Sequence, residues 1–397
     1  MARAHRPARL ARPARPASTP AHPDLLPGLG LIAGIAALAA GGIAAGLELE
    51  RRWVSKRLRQ LPVDDEPFFG MRSDGPIVST PDGVTLHTET DELADGRTPE
   101  VTIVFVHGYA LSLDCWHFQR KHFRARQARE GAERLGARLV FYDQRSHGRS
   151  ARSDPSLCRV PQLADDLAQV LDEVVGADGD GGPVVLIGHS MGAMTIMHLA
   201  STRPTWFDTN PEDASPTGHQ VIGVGLVATS SGGLREHSII KGLPGRTFAR
   251  ITPPLLAGLN RIPELVERSR RAGTDLAWVI TKQMGFGRPD VPASYVEFLS
   301  QMLGETPMTV VADFYPAFAD LDETTALEVL NHLPTAVIGG VEDMITPVQH
   351  TERIIELVPN AESLILEQCG HMGIIEQHDK INPVLDDLVA RALQHHG

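Results

Sequence analysis

The chain has 397 residues, of which 42% are hydrophobic and 22% are charged, and its formal net charge is −12. This length and composition allow one large buried core and exclude a wholly disordered chain. Three cysteines (Cys115, Cys158 and Cys369) are too few for a disulfide framework and lack metal-ligand spacing, so no metal site is expected.

The first 60 residues differ in charge from the rest of the chain. They contain ten basic and three acidic residues, whereas the remainder contains 27 basic and 46 acidic residues. An acidic main part argues against nucleic acid as a partner. Residues 1–24 are rich in Arg, Ala and Pro, and this composition predicts a disordered basic tail.

Residues 25–47 carry no charged side chain and are numerous enough to span a bilayer as a helix. Two G-x-x-x-G spacings, Gly30 to Gly34 and Gly42 to Gly46, suit close helix pairing in a membrane. We therefore predict a single-pass transmembrane helix here, followed by a juxtamembrane linker over residues 48–70. A signal peptide ending near Ala39 and a soluble Gly/Ala-rich helix are the alternatives. Basic residues flank the segment on both sides, which leaves the side of the membrane open.

Strand signals begin after the linker. Residues 77–88 alternate around a P-D-G turn and are predicted to form a hairpin. The apolar run at 101–106 is typical of a buried strand, and H-G-Y-A follows it. A small loop at this position can present a backbone N–H to a developing oxyanion. We assign that N–H to Tyr109, with Ala110 as the alternative, and expect His107 to be structural.

A further strand is predicted over 139–143, and it leads into the loop Y-D-Q-R-S-H-G-R-S. Residues 163–175 then have apolar side chains near helical spacing, as a crossover helix does. The acids of this helix are predicted to form its solvated face. They are Asp165, Asp166, Asp172 and Glu173.

The run V-V-L-I-G-H-S-M-G, residues 184–192, is the most informative part of the chain. An apolar strand, a G-x-S-x-G turn and a following helix together form the context of a nucleophile elbow. Glycines on both sides leave room for the sharp turn, so the Ser190 side chain is held above the sheet edge. The backbone N–H of Met191 then points to the position where an oxyanion forms.

A strand is predicted over 221–227, after which strand signals stop until 335. Residues 231–331 contain helical patches and several aromatic residues, and we predict a helical cap inserted after strand 6. Such a cap excludes water and lines a substrate pocket. Most of its aromatic side chains are expected to pack between cap and core.

The last two predicted strands supply partners for the serine. Asp343 follows the strand at 335–340, and His371 follows the strand at 363–366, between two glycines. Both positions lie at the edge of a parallel sheet where ligands bind. A nucleophilic serine needs a base, and the base needs an acid to orient it. The weaker candidates are His378 for the base and Glu342, Asp320 and Asp322 for the acid.

Together these motifs resemble those of the α/β-hydrolase superfamily, over about residues 77–393. The matching positions are H-G at 107–108, the 142–150 loop, G-H-S-M-G at 188–192, Asp343 and G-H at 370–371. Ser146 stands where the family usually has glycine, in a loop that is structural. The resemblance implies an α/β fold with a mostly parallel eight-stranded sheet, helices on both faces and a catalytic domain of residues 71–230 and 332–397.

The expected activity is that of a serine hydrolase on small-molecule or lipid esters, with Ser190, Asp343 and His371 as the triad and Tyr109 and Met191 as oxyanion donors. No cofactor or metal is needed for this chemistry. Acyl transfer, thioester cleavage and C–C cleavage by the same triad are alternatives, as is a non-catalytic binding role. Epoxide and haloalkane chemistry is disfavoured, because such relatives carry an aspartate at the elbow. The substrate and the oligomeric state stay open.

Overall fold

The computed structural model describes residues 66–176, 182–207, 219–234, 275–318 and 321–396. The predicted transmembrane segment, residues 25–47, lies outside these ranges. Within them, no helix is both long and apolar enough to cross a bilayer.

An eight-stranded sheet forms the centre of the described chain, in the order β1-β2-β4-β3-β5-β6-β7-β8. Its strands are β1 Ile77–Ser79, β2 Thr85–Asp91, β3 Val101–Val106, β4 Ala137–Tyr142, β5 Val184–His189, β6 Val221–Val227, β7 Thr335–Gly340 and β8 Glu362–Leu366. β2 pairs antiparallel with β1 and β4, and the other pairings are parallel. The predicted fold class, a mostly parallel eight-stranded sheet, is confirmed.

The central strands are buried along their whole length, because both faces of the sheet are covered. Every residue of β3, β5, β6 and β7 is buried. Alternate residues of β3 belong to two different apolar clusters, Ile103 and Phe105 to one and Val104 and Val106 to the other. This burial explains why the sequence of these strands is continuously apolar.

Helices cover both faces. The α-helices in the described residues are α1 His117–Gln127, α2 Val160–Val170, α3 Met191–Thr202, α4 Asp275–Gly285, α5 Ala293–Glu305, α6 Met308–Phe314, α7 Ala326–Leu330, α8 Val348–Leu357, α9 Gly373–Glu376 and α10 His378–His396. α1 and α10 pack with Ile103 and Phe105, whereas α2, α3 and α8 pack with Val104 and Val106.

We use the term insert for residues 275–318, which contain α4 to α6 and lie in the chain between β6 and β7. Its aromatic side chains mostly pack against the core. Phe286, Tyr295 and Phe298 join the apolar cluster that contains α1, and Phe314 packs with Met191 at the start of α3. The insert is therefore fixed to the start of α3 as well as to the core.

The prediction for the acidic face of the crossover helix is wrong at one position. Asp166 is buried, and its carboxylate accepts two hydrogen bonds from the guanidinium of Arg145, with N···O distances of 2.5 and 2.6 Å. Arg145 comes from the loop after β4 and has no exposed surface. Asp165 is exposed, as predicted.

Candidate active site

Ser190 stands at a sharp turn between β5 and α3. Its backbone has φ 53° and ψ −117°, in the left-handed half of conformational space that only glycine adopts freely. Hydrogen bonds hold this strained turn in place. The Ser190 N–H donates to the Val227 carbonyl at 2.9 Å, and the Thr229 hydroxyl donates to the Ser190 carbonyl at 2.9 Å. Both partners lie at the end of β6.

The glycines around Ser190 are required by close backbone contacts. A Cβ on Gly192 would lie 2.0 Å from the Val106 carbonyl oxygen, and one on Gly188 would lie 2.5 Å from the Ala193 nitrogen. A Cβ on Gly108 would lie 3.2 Å from the Ser190 Cβ. The H-G loop after β3 is therefore packed directly against the elbow.

Asp343 and His371 form a buried pair at the ends of β7 and β8. The Nδ1 of His371 lies 2.8 Å from Oδ2 of Asp343. Oδ1 of Asp343 accepts the N–H groups of Ile345 and Thr346, and the Thr346 hydroxyl donates to Oδ2 at 2.8 Å. The carboxylate is an acceptor only, so Nδ1 carries the proton and Nε2 is left as the basic nitrogen.

The pKa of the Asp343 carboxyl is lowered from its usual value of 3.8. Burial alone would raise it, but the interaction with His371 and the donors from Thr346 outweigh burial. The acid is therefore ionised over the range in which an imidazole base works.

His189, the residue before Ser190, contacts the backbone of His371. Nε2 of His189 lies 2.9 Å from the His371 carbonyl oxygen, and the two rings are 4.8 Å apart between centroids. Burial lowers the pKa of His189 to about 3, so its ring is neutral and donates from Nε2. Ser190, Asp343 and His371 are thus brought to one edge of the sheet.

Two N–H groups beside Ser190 are unused by the backbone. The N–H of Met191 is the first of α3, where helix geometry offers no partner. Within the described ranges, neither it nor the N–H of Tyr109 donates to a backbone carbonyl. The Gly108 carbonyl accepts from Leu111 at 3.3 Å, which closes the turn that carries Tyr109.

The remaining motif residues are structural. His107 is buried between the Gly108 carbonyl, 2.8 Å from Nδ1, and the Gln144 N–H, 2.9 Å from Nε2. Burial lowers its pKa to about 3. Asp143 accepts the N–H groups of Leu113 and Arg149, which fixes the 142–150 loop. These bonds leave neither side chain free for chemistry.

The insert contacts the H-G-Y-A loop after β3 directly. The Tyr109 hydroxyl donates to the Val311 carbonyl of α6. The hydroxyl of Thr306, between α5 and α6, donates to the Ala110 carbonyl at 3.0 Å. Phe318 packs on the Tyr109 ring, with centroids 5.1 Å apart. The loop that carries Tyr109 is therefore held against the insert by two hydrogen bonds and one aromatic contact.

The other sequence candidates lie elsewhere or make other bonds. His378 stacks on Phe118 at 3.8 Å between centroids, Glu342 is exposed, and Asp322 is bonded to Thr324. Asp320 lies outside the described residues. Burial raises the pKa of the Cys369 thiol, which makes it a poor nucleophile.

Sequence reasoning missed three polar side chains that bond to the loops carrying Asp343 and His371: Thr346, His189 and Glu376. Thr346 bonds to the Asp343 carboxylate three residues earlier, whereas His189 and Glu376 bond to the backbone of the His371 loop, and no sequence motif marks these bonds. Among the described residues, no group of His, Cys, Asp and Glu has the arrangement of a metal site.

Comparison with known proteins gives a family match and several distant relatives. Residues 103–384 match the model described as the alpha/beta hydrolase family. The chain is 24% identical over 293 residues to the dihydrolipoyllysine-residue acetyltransferase component of the acetoin cleaving system of Pseudomonas putida. That alignment covers 72% of this chain and 62% of the length of the relative.

A non-heme chloroperoxidase of Kitasatospora aureofaciens is 25% identical over 303 residues, which cover 75% of this chain and 92% of the relative. Among solved structures, an esterase from Exiguobacterium antarcticum has a TM-score of 0.58 at 15% identity. The match covers 80% of this chain and 99% of that one. At this identity the likeness concerns the fold alone.

Proposed function

The chain belongs to the alpha/beta hydrolase family, and from that premise we propose that it is a serine hydrolase that cleaves carboxylic esters through an acyl-enzyme on Ser190. The observation that carries the proposal is the buried Asp343–His371 pair beside a strained serine. The match to an esterase structure supports the fold on which this reaction would take place.

The proposed reaction begins with attack of the Ser190 Oγ on the ester carbonyl carbon. His371 takes the hydroxyl proton at Nε2, and Asp343 stabilises the imidazolium that forms. The N–H groups of Met191 and Tyr109 donate to the carbonyl oxygen as it becomes negative. The C–O bond to the alcohol then breaks, and His371 gives its proton to the leaving oxygen.

Water completes the cycle. His371 again acts as base and removes a proton from the attacking water, the tetrahedral intermediate collapses, and the carboxylic acid leaves as Ser190 regains its proton.

The test is hydrolysis of short p-nitrophenyl esters by the full-length chain and by Ser190→Ala. The substitution removes the nucleophile, and turnover is expected to fall by about 10⁴-fold or more. Ser201→Ala is the matched control, because Ser201 lies on the same helix and its hydroxyl bonds to the His198 carbonyl. Near-wild-type turnover in Ser190→Ala would refute the proposal.

Acyl transfer is the competing reaction, because the same acyl-enzyme can react with an alcohol or amine. Product analysis with added alcohols or amines distinguishes the two. The hydrolase proposal predicts the free acid as the main product. A new ester or amide as the main product would reassign the protein as an acyltransferase.

We further propose, from the sequence pattern alone, that residues 25–47 anchor the chain in a membrane. The full-length chain is then expected to stay in membranes washed with alkaline carbonate, and the double variant Leu31→Arg, Ile35→Arg to be released. Release of the unmodified chain would contradict the anchor. Loss of the first 39 residues from the mature chain would show a signal peptide instead.

A further inference from the structure

Glu376 is buried, and within the described residues its carboxylate accepts hydrogen bonds from three backbone N–H groups. It ends α9, five residues after His371, and its side chain takes no part in the reaction proposed above. Its Oε2 accepts the N–H of Gly370 at 2.8 Å and the N–H of Gly287 at 3.0 Å. Its Oε1 accepts the N–H of Arg288 at 2.5 Å. One carboxylate therefore joins the loop that carries His371 to the α4–α5 connection of the insert.

The two segments that Glu376 joins are in direct backbone contact. A Cβ on Gly370 would lie 2.7 Å from the Gly285 carbonyl oxygen, and one on Gly287 would lie 2.7 Å from the Cys369 carbonyl carbon. The Met372 N–H donates to the Gly285 carbonyl at 2.8 Å. Because no side chain separates the two backbones, a shift of one segment moves the other.

His371 lies between two of these bonded residues. The residue before it, Gly370, is held by Glu376, and the residue after it, Met372, is held by Gly285. Its own carbonyl accepts from His189. Three hydrogen bonds therefore fix the backbone at His371 and its two neighbours. A fourth contact, from Asp343 to Nδ1, orients the imidazole ring.

We propose that Glu376 is a positioning residue that fixes His371 by tying its loop to the insert. The inference rests on the proposed function, since it concerns the orientation of the proposed base. Glu376 touches no reacting atom. It acts through the Gly370 backbone, so its loss is expected to lower kcat more than it changes KM. A misplacement of about 1 Å at a reacting group can cost about 10²-fold in rate.

The charge of Glu376 suits this role. Burial raises the pKa of the carboxyl, while the three N–H donors and the nearby Arg288 oppose that effect. A carboxylate has enough lone pairs to accept all three donors, whereas an amide oxygen can serve only those on one side. The residue type is therefore matched to the number of donors.

The experiment is a graded series at one position, Glu376→Gln and Glu376→Leu. In Glu376→Gln the amide oxygen can keep the Gly370 and Gly287 donors, but the amide NH₂ then faces the Arg288 N–H. In Glu376→Leu all three N–H groups lose their partner. We expect kcat for p-nitrophenyl esters to fall about 3- to 10-fold in Glu376→Gln and about 10²-fold in Glu376→Leu, with KM within about 2-fold.

A spectroscopic measurement separates positioning from loss of stability. The downfield proton resonance of the His371–Asp343 hydrogen bond is expected to shift or broaden in Glu376→Gln. Glu89→Gln is the control: Glu89 is also buried, lies on β2, and accepts the Ser73 N–H together with hydrogen bonds from Arg120 and Arg149. It is expected to lower the unfolding temperature and to leave both kcat and the resonance unchanged.

Unchanged kcat and an unchanged resonance in folded Glu376→Gln would overturn the inference, and so would equal changes in Glu89→Gln. Glu376→Leu leaves three buried donors unpaired and can fail to fold, in which case Glu376→Gln alone decides. Failure of the proposed function gives a different result, because the wild-type chain would then hydrolyse no ester while the resonance could still be compared.

Discussion

Two buried acid–base pairs of this molecule have similar burial and different uses. Asp343 and His371 form one pair, at the edge of the sheet where the parallel strands end. Asp166 of α2 and Arg145 of the loop after β4 form the other. All four side chains are almost inaccessible to solvent. Burial of charge therefore does not by itself identify a catalytic site in this fold.

The difference lies in the bonding that each pair leaves open. Every guanidinium nitrogen of Arg145 is bonded, to Asp166, Asp82 or Ser153. The pair is complete and has no group to offer a substrate. In the other pair, both carboxylate oxygens of Asp343 accept hydrogen bonds. His371 uses only Nδ1 for its bond to the acid, so its Nε2 is left over. The pair with an open basic nitrogen, beside a strained serine, is the one suited to catalysis.

Among variants of the two pairs, the largest effect is expected from Asp343→Asn. The amide can no longer hold the His371 tautomer in which Nε2 is basic, and kcat is expected to fall by about 10³- to 10⁴-fold. The unfolding temperature should fall as well, because the amide NH₂ faces donors that one carboxylate oxygen accepted, but the loss of kcat is the larger effect. Steady-state kinetics and thermal unfolding on the same sample measure both. A large drop in stability with kcat retained would reverse the contrast between the two pairs.

Asp166→Asn is expected to show the opposite pattern. It leaves the buried guanidinium of Arg145 only partly paired, which is expected to cost about 3 kcal/mol of unfolding free energy. The kcat of the folded protein should stay within about 3-fold of wild type. Urea unfolding measures the loss. The matched control is Asp165→Asn, since this exposed neighbour has only a surface ion pair with Arg203, worth about 0 to 1 kcal/mol.

A third buried group of charged side chains lies around Asp91 on β2. A change of pH is expected to have a smaller effect on its contribution to stability. Burial alone would raise the pKa of Asp91, but hydrogen bonds from Arg124 and Arg120 outweigh it and lower the pKa to about 2. A lowered pKa in the folded state adds stability that is complete above the usual value of 3.8 and is lost as the pH falls toward 2.

Asp91→Asn therefore lowers the unfolding free energy at neutral pH by about 1 to 2 kcal/mol, allowing for screening by solvent. The difference from wild type should shrink as the pH falls from about 4 to about 2. Urea unfolding across this range gives the comparison. A difference that stays constant over the range would show that the carboxylate charge is not what stabilises the cluster.

Much of the fold follows from the sequence, because the central strands are buried on both faces. β3, β6 and β7 have the predicted bounds, since a strand covered on both sides needs a continuous apolar run. The candidate site was predictable for a related reason. Parallel strands end at the same edge, so residues just after different strands meet although they are far apart in sequence.

The polar contacts between distant segments were not predictable. Asp166 lies at a helical position that suits either solvent or a partner, and the partner comes from a loop 21 residues earlier. Glu376 has no special pattern around it, and its donors include two residues nearly 90 positions away. Such contacts depend on how the insert packs, which periodicity does not encode. The catalytic roles of Ser190 and His371 stay predictions from geometry.

Covalent labelling of the full-length chain with a tagged fluorophosphonate tests the central claim most directly. The reagent modifies a serine only where a base and oxyanion donors activate it. The account predicts one modified peptide, with the added mass on Ser190, and slow labelling of Asp343→Asn. A chain that stays unlabelled, or that is labelled at another residue with Ser190 intact, would contradict it.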